Sequence, residues 1–343
     1  MDPKLSEKYS RQILFTGLGE AGQERLLSSS AVLVGCGALG TAAANLLARS
    51  GVGRLRIIDR DFVEPSNLQR QTLFDESDAR DALPKAVAAE RHLHAINSAV
   101  YVEGIVADLT PENAGELLAG FPLILDGTDN FSTRMLINDA AVSAGVPWIY
   151  AAAVASYGVT MTIRPGDTAC LACILESPER NGFGIDETCD TIGILNAAVG
   201  VIASIQAAEA IKLLSGNTEA LHNRLISFDV WSGRFQAIRV PRNPQCRVCG
   251  QHEFSYLEGS AQPHITLCGR DSVQIHEHSR KLDLTALGRR LAPAVPELRN
   301  NDFLLRFFVP PYELTVFADG RTIVKGTRDP AVARSLYARY IGA

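Results

Sequence analysis

Ala31-Val32-Leu33-Val34-Gly35-Cys36-Gly37-Ala38-Leu39-Gly40 decides how this chain folds. Four apolar residues lead into a loop holding three glycines, and an alanine-rich stretch with helical spacing, Leu39 to Arg49, follows at once. The order is strand, loop, helix. A second strand, Arg54-Leu55-Arg56-Ile57-Ile58, then ends on Asp59, 19 residues after Gly40. A βαβ crossover of a parallel sheet has this form. Its glycines let the backbone turn tightly and come close to phosphate oxygens, the helix N-terminus offers N–H groups, and the carboxylate suits ribose hydroxyls. Gly35, Gly37, Ala38 and Gly40 are therefore nucleotide-binding candidates, with Asp59 as the ribose ligand.

Outward from this unit the alternation continues. Leu83 to Ala95 reads as helix, Val100 to Val106 as extended chain, and Pro111 to Ala119 as helix. Leu123-Ile124-Leu125 reads as a buried strand that ends in Asp126-Gly127-Thr128-Asp129-Asn130. Residues at the carboxyl ends of such strands face the ligand crevice. Asp129 thus stands where Mg²⁺ bound to phosphates takes an oxygen ligand; the competing reading makes it the cap of a helix from Ser132 to Ala144. The stretch Asp59-Arg60-Asp61, the run Ser66-Asn67-Leu68-Gln69-Arg70-Gln71 and Lys85 lie between these strands. An Arg and a Lys near a glycine loop suit the β and γ oxygens of a nucleoside triphosphate better than hydride transfer requires.

Two cysteine pairs, Cys170-Leu171-Ala172-Cys173 and Cys246-Arg247-Val248-Cys249, add a second chemistry. Each C-x-x-C turns both sulfurs toward one centre, and two pairs supply the four thiolates of a closed, structural zinc site. Isolated pairs can also be buried apolar cysteines or redox pairs. His276 and His278 share one face of an expected strand but lack metal-binding partners in a recognised pattern. Cys36 is read as a filler of the glycine loop and Cys268 as a buried thiol.

The chain has 343 residues, 46% of them hydrophobic and 21% charged, with a net charge of -5. That is enough chain for a sizeable core, and the balance gives no global basic field for nucleic acid. The apolar run Ile192 to Ala210 is interrupted by Asn196, Gln206 and Glu209, so no membrane span is expected, and Met1-Asp2-Pro3-Lys4 lacks the apolar core of a signal peptide. A cytoplasmic protein is expected, in which seven cysteines stay reduced.

Taken together in chain order, these residues give a specific likeness. The carriers are Tyr9-Ser10-Arg11-Gln12-Ile13-Leu14, the glycine loop, Asp59 with Asp61, Ser66 to Gln71, and Lys85. Thr128-Asp129-Asn130 followed by Arg134, both cysteine pairs, Cys189-Asp190-Thr191-Ile192-Gly193 and Gln206 to Lys212 complete the set. Over roughly residues 5 to 250 the chain resembles the ThiF/MoeB/HesA family, bacterial relatives of ubiquitin-activating enzymes. The resemblance implies ATP-dependent adenylation of the C-terminal Gly-Gly carboxylate of a ubiquitin-like sulfur carrier protein, ThiS-like or MoaD-like, for thiamine thiazole or molybdopterin synthesis. It implies that Arg70 and Lys85 hold the phosphates, Asn67 orients them, Asp129 with Asn130 lies at Mg²⁺, and Asp59 with Asp61, Ser66, Leu68 and Gln69 completes the nucleotide site. It further implies a homodimer in which Arg11 reaches the opposite subunit's nucleotide, and a sulfurtransferase as a further partner. Cys189 matches a cysteine that is a nucleophile in some members and dispensable in others. The alternatives are a tRNA threonylcarbamoyladenosine dehydratase-like enzyme and an NAD-dependent oxidoreductase.

The fold class that follows is α/β: a Rossmann-like, doubly wound, mostly parallel sheet with a structural zinc site, plus a small C-terminal α+β domain. An adenylation domain spans residues 1–250, a linker 251–263 and an accessory domain 264–343. In the last, Ser272 to His276 and Asp302 to Val309 read as strands, Leu284 to Leu291 and Pro330 to Tyr340 as helices, and Tyr312 to Lys325 as a hairpin turning at Asp319-Gly320.

Overall fold

Strand β1 (Ser30–Val34) lies in parallel between β2 (Arg54–Ile58) and β4 (Ile124–Asp126), with β3 (Tyr101–Ile105) outside β2 and β5 (Trp148–Val154) outside β4. The computed structural model describes residues 1–175, 192–260, 272–275, 282–318 and 320–342. Both faces of β1 are covered. Ala31 and Leu33 join a core with Ala43, Leu47, Ala88 and Leu93, from helices Ala38–Ser50 and Lys85–Ile96. Val32 and Val34 join another with Ala114, Leu136 and Ile137, from helices Pro111–Leu118 and Phe131–Ala144. A strand buried on both sides has no polar alternation, and this is why β1 is legible as a plain apolar run.

The order β3-β2-β1-β4-β5 changes direction between β1 and β4, which makes the carboxyl ends of these two strands the ligand crevice. Register then fixes what meets there. Val34 of β1 pairs with Ile58 of β2 and with Asp126 of β4, so Gly35, Asp59 and Gly127 leave the sheet at one level.

Three antiparallel strands, β6 (Tyr157–Ile163), β7 (Leu225–Asp229) and β8 (Arg234–Ile238), extend the sheet beyond β5. The sheet is mostly parallel and Rossmann-like, as expected, with an antiparallel wing that the sequence patterning does not announce. Helix Asn196–Leu214 is long and apolar enough to cross a membrane by length and composition. The residues that interrupt it show its actual place. Gln206 is buried and donates to the backbone oxygens of Asp126 and Ile149, at 2.8 and 3.0 Å, while buried Glu209 accepts from the Thr162 hydroxyl at 2.9 Å. These bonds fasten the helix across β4, β5 and β6.

The chain divides into two compact units, Met1–Ala261 and Gln262–Ala343. In the second, five strands run antiparallel in the order β10-β11-β12-β13-β9, where β9 is Ser272–Ile275, β10 Leu298–Asn300, β11 Leu304–Val309, β12 Tyr312–Phe317 and β13 Thr322–Lys325. Alternate residues, among them Val273, Leu305, Phe307, Leu314, Val316 and Val324, share a core with helices Leu284–Leu291 and Pro330–Tyr340. Strand β10 is an addition to the sequence reading. His276, His278, Cys268 and Asp319 lie outside the described residues.

Candidate active site

The glycine loop is locked against the end of β4 by contacts that exclude side chains. Gly35 has φ +88°, and a Cβ there would meet the Gly127 carbonyl carbon and oxygen at 2.7 Å; a Cβ on Gly40 would meet the Gly35 oxygen at 2.1 Å. Gly37 differs, since a Cβ on it would find nothing nearer than 3.8 Å. The first and last glycines let backbones touch, and the middle one leaves open space above the first turn of helix Ala38–Ser50, the geometry of an anion cradle.

Asp59 holds that cradle from below. Its carboxylate accepts from the backbone N–H of Cys36 at 2.6 Å and of Asp61 at 2.7 Å. Burial pushes the Asp59 carboxyl above its ordinary value, although Lys85 and these N–H bonds pull the other way. Lys85 opens helix Lys85–Ile96, is buried, and donates from Nζ to Asp61 Oδ2 at 3.0 Å, while its backbone N–H bonds the Asp61 carbonyl at 2.9 Å. Asp59, Asp61 and Lys85 therefore form one bonded set beside the loop.

The run 66–71 supplies a further wall. Asn67 is fully buried and its Oδ1 accepts from the Glu64 N–H at 3.0 Å, yet its Nδ2 donates to nothing among the described residues. Gln71, also buried, has its Oε1 unmatched, and its Nε2 lies 4.0 Å from where a Gly37 Cβ would sit. Buried polar atoms without partners are uncommon and costly, and a pair of them beside an open anion cradle fits a site that a polar ligand completes. Arg70 curls back so that Nη1 donates to the Ser66 oxygen at 2.8 Å. Leu68 packs against the core as a partly buried side chain, and the Gln69 backbone oxygen accepts from Asn196 at 3.2 Å.

At the end of β4 the helix cap is Asn130, whose Oδ1 accepts from the Thr133 N–H at 2.8 Å. The helix begins at Phe131, so the reading of Asp129 as its cap is corrected, and Asp129 is exposed with its charge felt by Arg60 and Arg134. A buried ion pair sets this turn. Asp126 accepts from the Thr128 N–H at 2.9 Å and hydroxyl at 2.7 Å, and from Arg134 Nε at 3.1 Å; Arg134 Nη2 donates back to the Thr128 oxygen at 2.6 Å. Burial pushes the Asp126 carboxyl up in spite of Arg134. Sequence reasoning used Arg134, Gln71 and Gln206 as marks of likeness and quoted Asp126 at the end of a buried strand, and assigned none of the four a task.

Arg11 is not brought to the crevice within one chain. Its neighbours turn inward: buried Tyr9 accepts from Asn97 at 2.9 Å and abuts Gly51, and Gln12 donates to the Ser50 oxygen at 2.9 Å. Ser50 ends the 13-residue helix that the glycine loop begins, about 20 Å away. Arg11 is exposed beside Leu14 and Phe15, which are 69% and 67% exposed. Cys189 lies outside the described residues. Cys36 is buried and burial pushes its thiol well up.

The four other described cysteines converge. Sγ separations are 3.9 Å for Cys170 and Cys173, 3.6 Å for Cys170 and Cys246, and 3.4 Å for Cys173 and Cys249, and all four lie within 4.8 Å of one another. Zinc–sulfur bonds of about 2.3 Å in a tetrahedron place sulfurs about 3.8 Å apart, so the set fits zinc with no coordination position left over. A bond from Cys170 draws the Cys173 thiol down to about 4, and burial pushes Cys246 up to about 11. Helix Phe131–Ala144 steadies both arms: Asn138 accepts from the Leu171 N–H at 2.8 Å, and Asp139 from the Tyr256 N–H at 2.9 Å.

The model of the ThiF family matches residues 9–248. The chain is 43% identical to the sulfur carrier protein ThiS adenylyltransferase of Bacillus subtilis over 342 residues, covering 98% of this chain and 100% of that one. It is 38% identical to the molybdopterin-synthase adenylyltransferase of Salmonella typhimurium over 245 residues, 71% of this chain and 96% of that one. Among solved structures it resembles Escherichia coli MccB crystallised with ATP, at TM-score 0.62 and 26% identity over 71% of this chain and 74% of that one.

Proposed function

The chain belongs to the ThiF family, and from that premise we propose that it is an ATP-dependent adenylyltransferase acting on the C-terminal Gly-Gly carboxylate of a ubiquitin-like sulfur carrier. A carboxylate oxygen of the carrier attacks the α-phosphorus of ATP. The new acyl–O–P bond replaces the bond to the β-phosphate, and pyrophosphate leaves. The carboxylate is already ionised near neutral pH, so the reaction needs positioning and charge rather than a protein base.

The chain's residues divide that work. Loop N–H groups at Gly37 and Ala38 receive phosphate oxygens, with Asn67 Nδ2 as an added neutral donor and Arg70 and Lys85 as cations. Asp59 offers its remaining lone pairs to the ribose, and Asp61 holds Lys85 in place. Asp129, next to capping Asn130, would hold Mg²⁺, which when bound offsets charge on the departing pyrophosphate. Cys170, Cys173, Cys246 and Cys249 would hold a structural zinc. Arg11, exposed beside Leu14 and Phe15, supports a homodimer in which it reaches a neighbouring nucleotide. A sulfurtransferase is the partner suited to consume the activated acyl group, and a cytoplasmic setting accords with thiols held for metal.

The single observation that carries the carrier assignment is the match to a ThiS adenylyltransferase along the whole of both chains, the second unit included. This favours a ThiS-like carrier over a MoaD-like one, since the molybdopterin relative covers 71% of the chain. Neither the dehydratase nor the oxidoreductase alternative gains support from these relatives. The test is ATP–pyrophosphate exchange with purified carriers ending in Gly-Gly, each set against a form lacking the last glycine. Exchange that requires one intact tail identifies the substrate; ATP binding without exchange for every carrier would overturn the assignment.

A further inference from the structure

Arg60 stands between two residues of the nucleotide set, Asp59 and Asp61, and has no part in the chemistry described so far. It is mostly buried, with side-chain exposure of 18%, and its Nη1 donates to Asp108 Oδ2 at 2.8 Å, with Asp61 Oδ1 3.9 Å from its Nε. Burial would lower the Arg60 pKa, and Asp108, Asp61 and Asp129 reverse that, so the cation is firmly held.

The sheet order says what lies above it. Phosphates belong at the β1 loop, and the ribose carboxylate Asp59 follows β2, the next strand in the order. Strands are spaced about 4.8 Å apart, so a nucleotide running from β1 past β2 carries its base toward the end of β3, about 10 Å from β1. Asp108 sits in the segment between β3, which ends at Ile105, and the helix beginning at Pro111. The Arg60–Asp108 pair therefore bridges the segments that follow β2 and β3. A guanidinium there is planar, weakly hydrated and suited to stacking on an aromatic ring.

We propose that Arg60, tethered by Asp108, is the platform on which the adenine ring of ATP stacks. The inference rests on the adenylation reading and deepens it by assigning the base. It distinguishes Arg60 from Arg70 and Lys85, which take phosphates.

The experiment is competition against ATP in the pyrophosphate-exchange assay of the full chain, with adenosine and inorganic tripolyphosphate as separate competitors. Two variants are compared with wild type. Arg60→Lys keeps the charge and the pairing with Asp108 but loses the planar group; R60L combined with D108N removes both charges, so that neither is left buried alone. Stacking predicts that both variants weaken adenosine about tenfold and leave tripolyphosphate within about twofold, with kcat little changed. Weakened tripolyphosphate with unchanged adenosine would make Arg60 a phosphate ligand, and full rescue by Lys would make it a charge only; either overturns the platform. Unchanged competition by both would leave a structural salt bridge and overturn it as well. A wild type that performs no exchange would instead overturn the adenylation reading, and the platform with it.

Discussion

The strand-end crevice and the four-cysteine cluster are served by the same helix, Phe131–Ala144, and are built on opposite terms. At the crevice two polar groups are tied to backbone through part of their bonding capacity and keep some in reserve: Asp59 takes two N–H groups, and Asn67 takes one with its oxygen while its Nδ2 is unmatched. At the cluster four sulfurs converge, 3.4–3.9 Å apart along their closest contacts, and backbone N–H groups such as that of Asn243 point at them. Reserve bonding capacity marks a place where something comes and goes; saturation marks one where something stays. The first arrangement costs stability and provides turnover, and the second provides stability alone.

The largest effect should therefore come from the closed end. Cys173→Ala should strip zinc from the protein and lower stability by several kcal/mol in order of magnitude, read by metal analysis and denaturant titration. Stoichiometric zinc in that variant, or its absence from the wild type, would break the contrast. Asp129→Ala should do the reverse: pyrophosphate exchange falls about 10²–10³-fold while zinc content and melting temperature hold. If exchange survives, Asp129 has no role at the metal.

Asn67→Ala sharpens the idea of reserve. It removes a donor awaiting a ligand and one bond to Glu64, so KM for ATP should rise about tenfold with a modest loss of stability, on the order of 1 kcal/mol. A stability loss without any change in KM would make Asn67 a loop cap only.

The two ends also differ in how far they could be read from the sequence. The glycine loop, β1, β2 and Asp59 are local, and the structure places each within a residue of its reading. The cysteine pairs are equally local in spacing, and their meeting follows from one recurring rule. The bonding of Asp126 to Arg134 and Gln206 was not legible, although both partners lie in stretches that carry the likeness, because burial and not spacing joins them: 80 residues separate Asp126 from Gln206. The antiparallel wing was missed for another reason. The turn from β5 to β6 runs through Ala155, at φ +51°, with no Asn-Gly or Asp-Gly pair to announce a hairpin. At the β4 end, Asp129 and Asn130 are both good caps, and only the start of the helix at Phe131 separates their tasks.

The smallest expected effect concerns the carboxylate under the loop, and its sign is fixed by the environment. Burial raises the folded-state pKa of Asp59 above the ordinary value near 3.8, against the pull of Lys85 and of two N–H donors. The folded chain thus holds this proton more tightly than the unfolded chain. The contribution of Asp59 to stability is fully present below the unfolded pKa and declines as pH rises through the folded one. Asp59→Asn removes the titration, at the cost of one backbone bond that an amide nitrogen cannot accept. The margin of wild type over D59N should therefore fall as pH rises above about 4, measured as the difference between their urea midpoints at each pH. A margin that widens over this range would mean that Lys85 and the N–H groups outweigh burial, and that the crevice holds Asp59 as tightly as the cluster holds its thiolates.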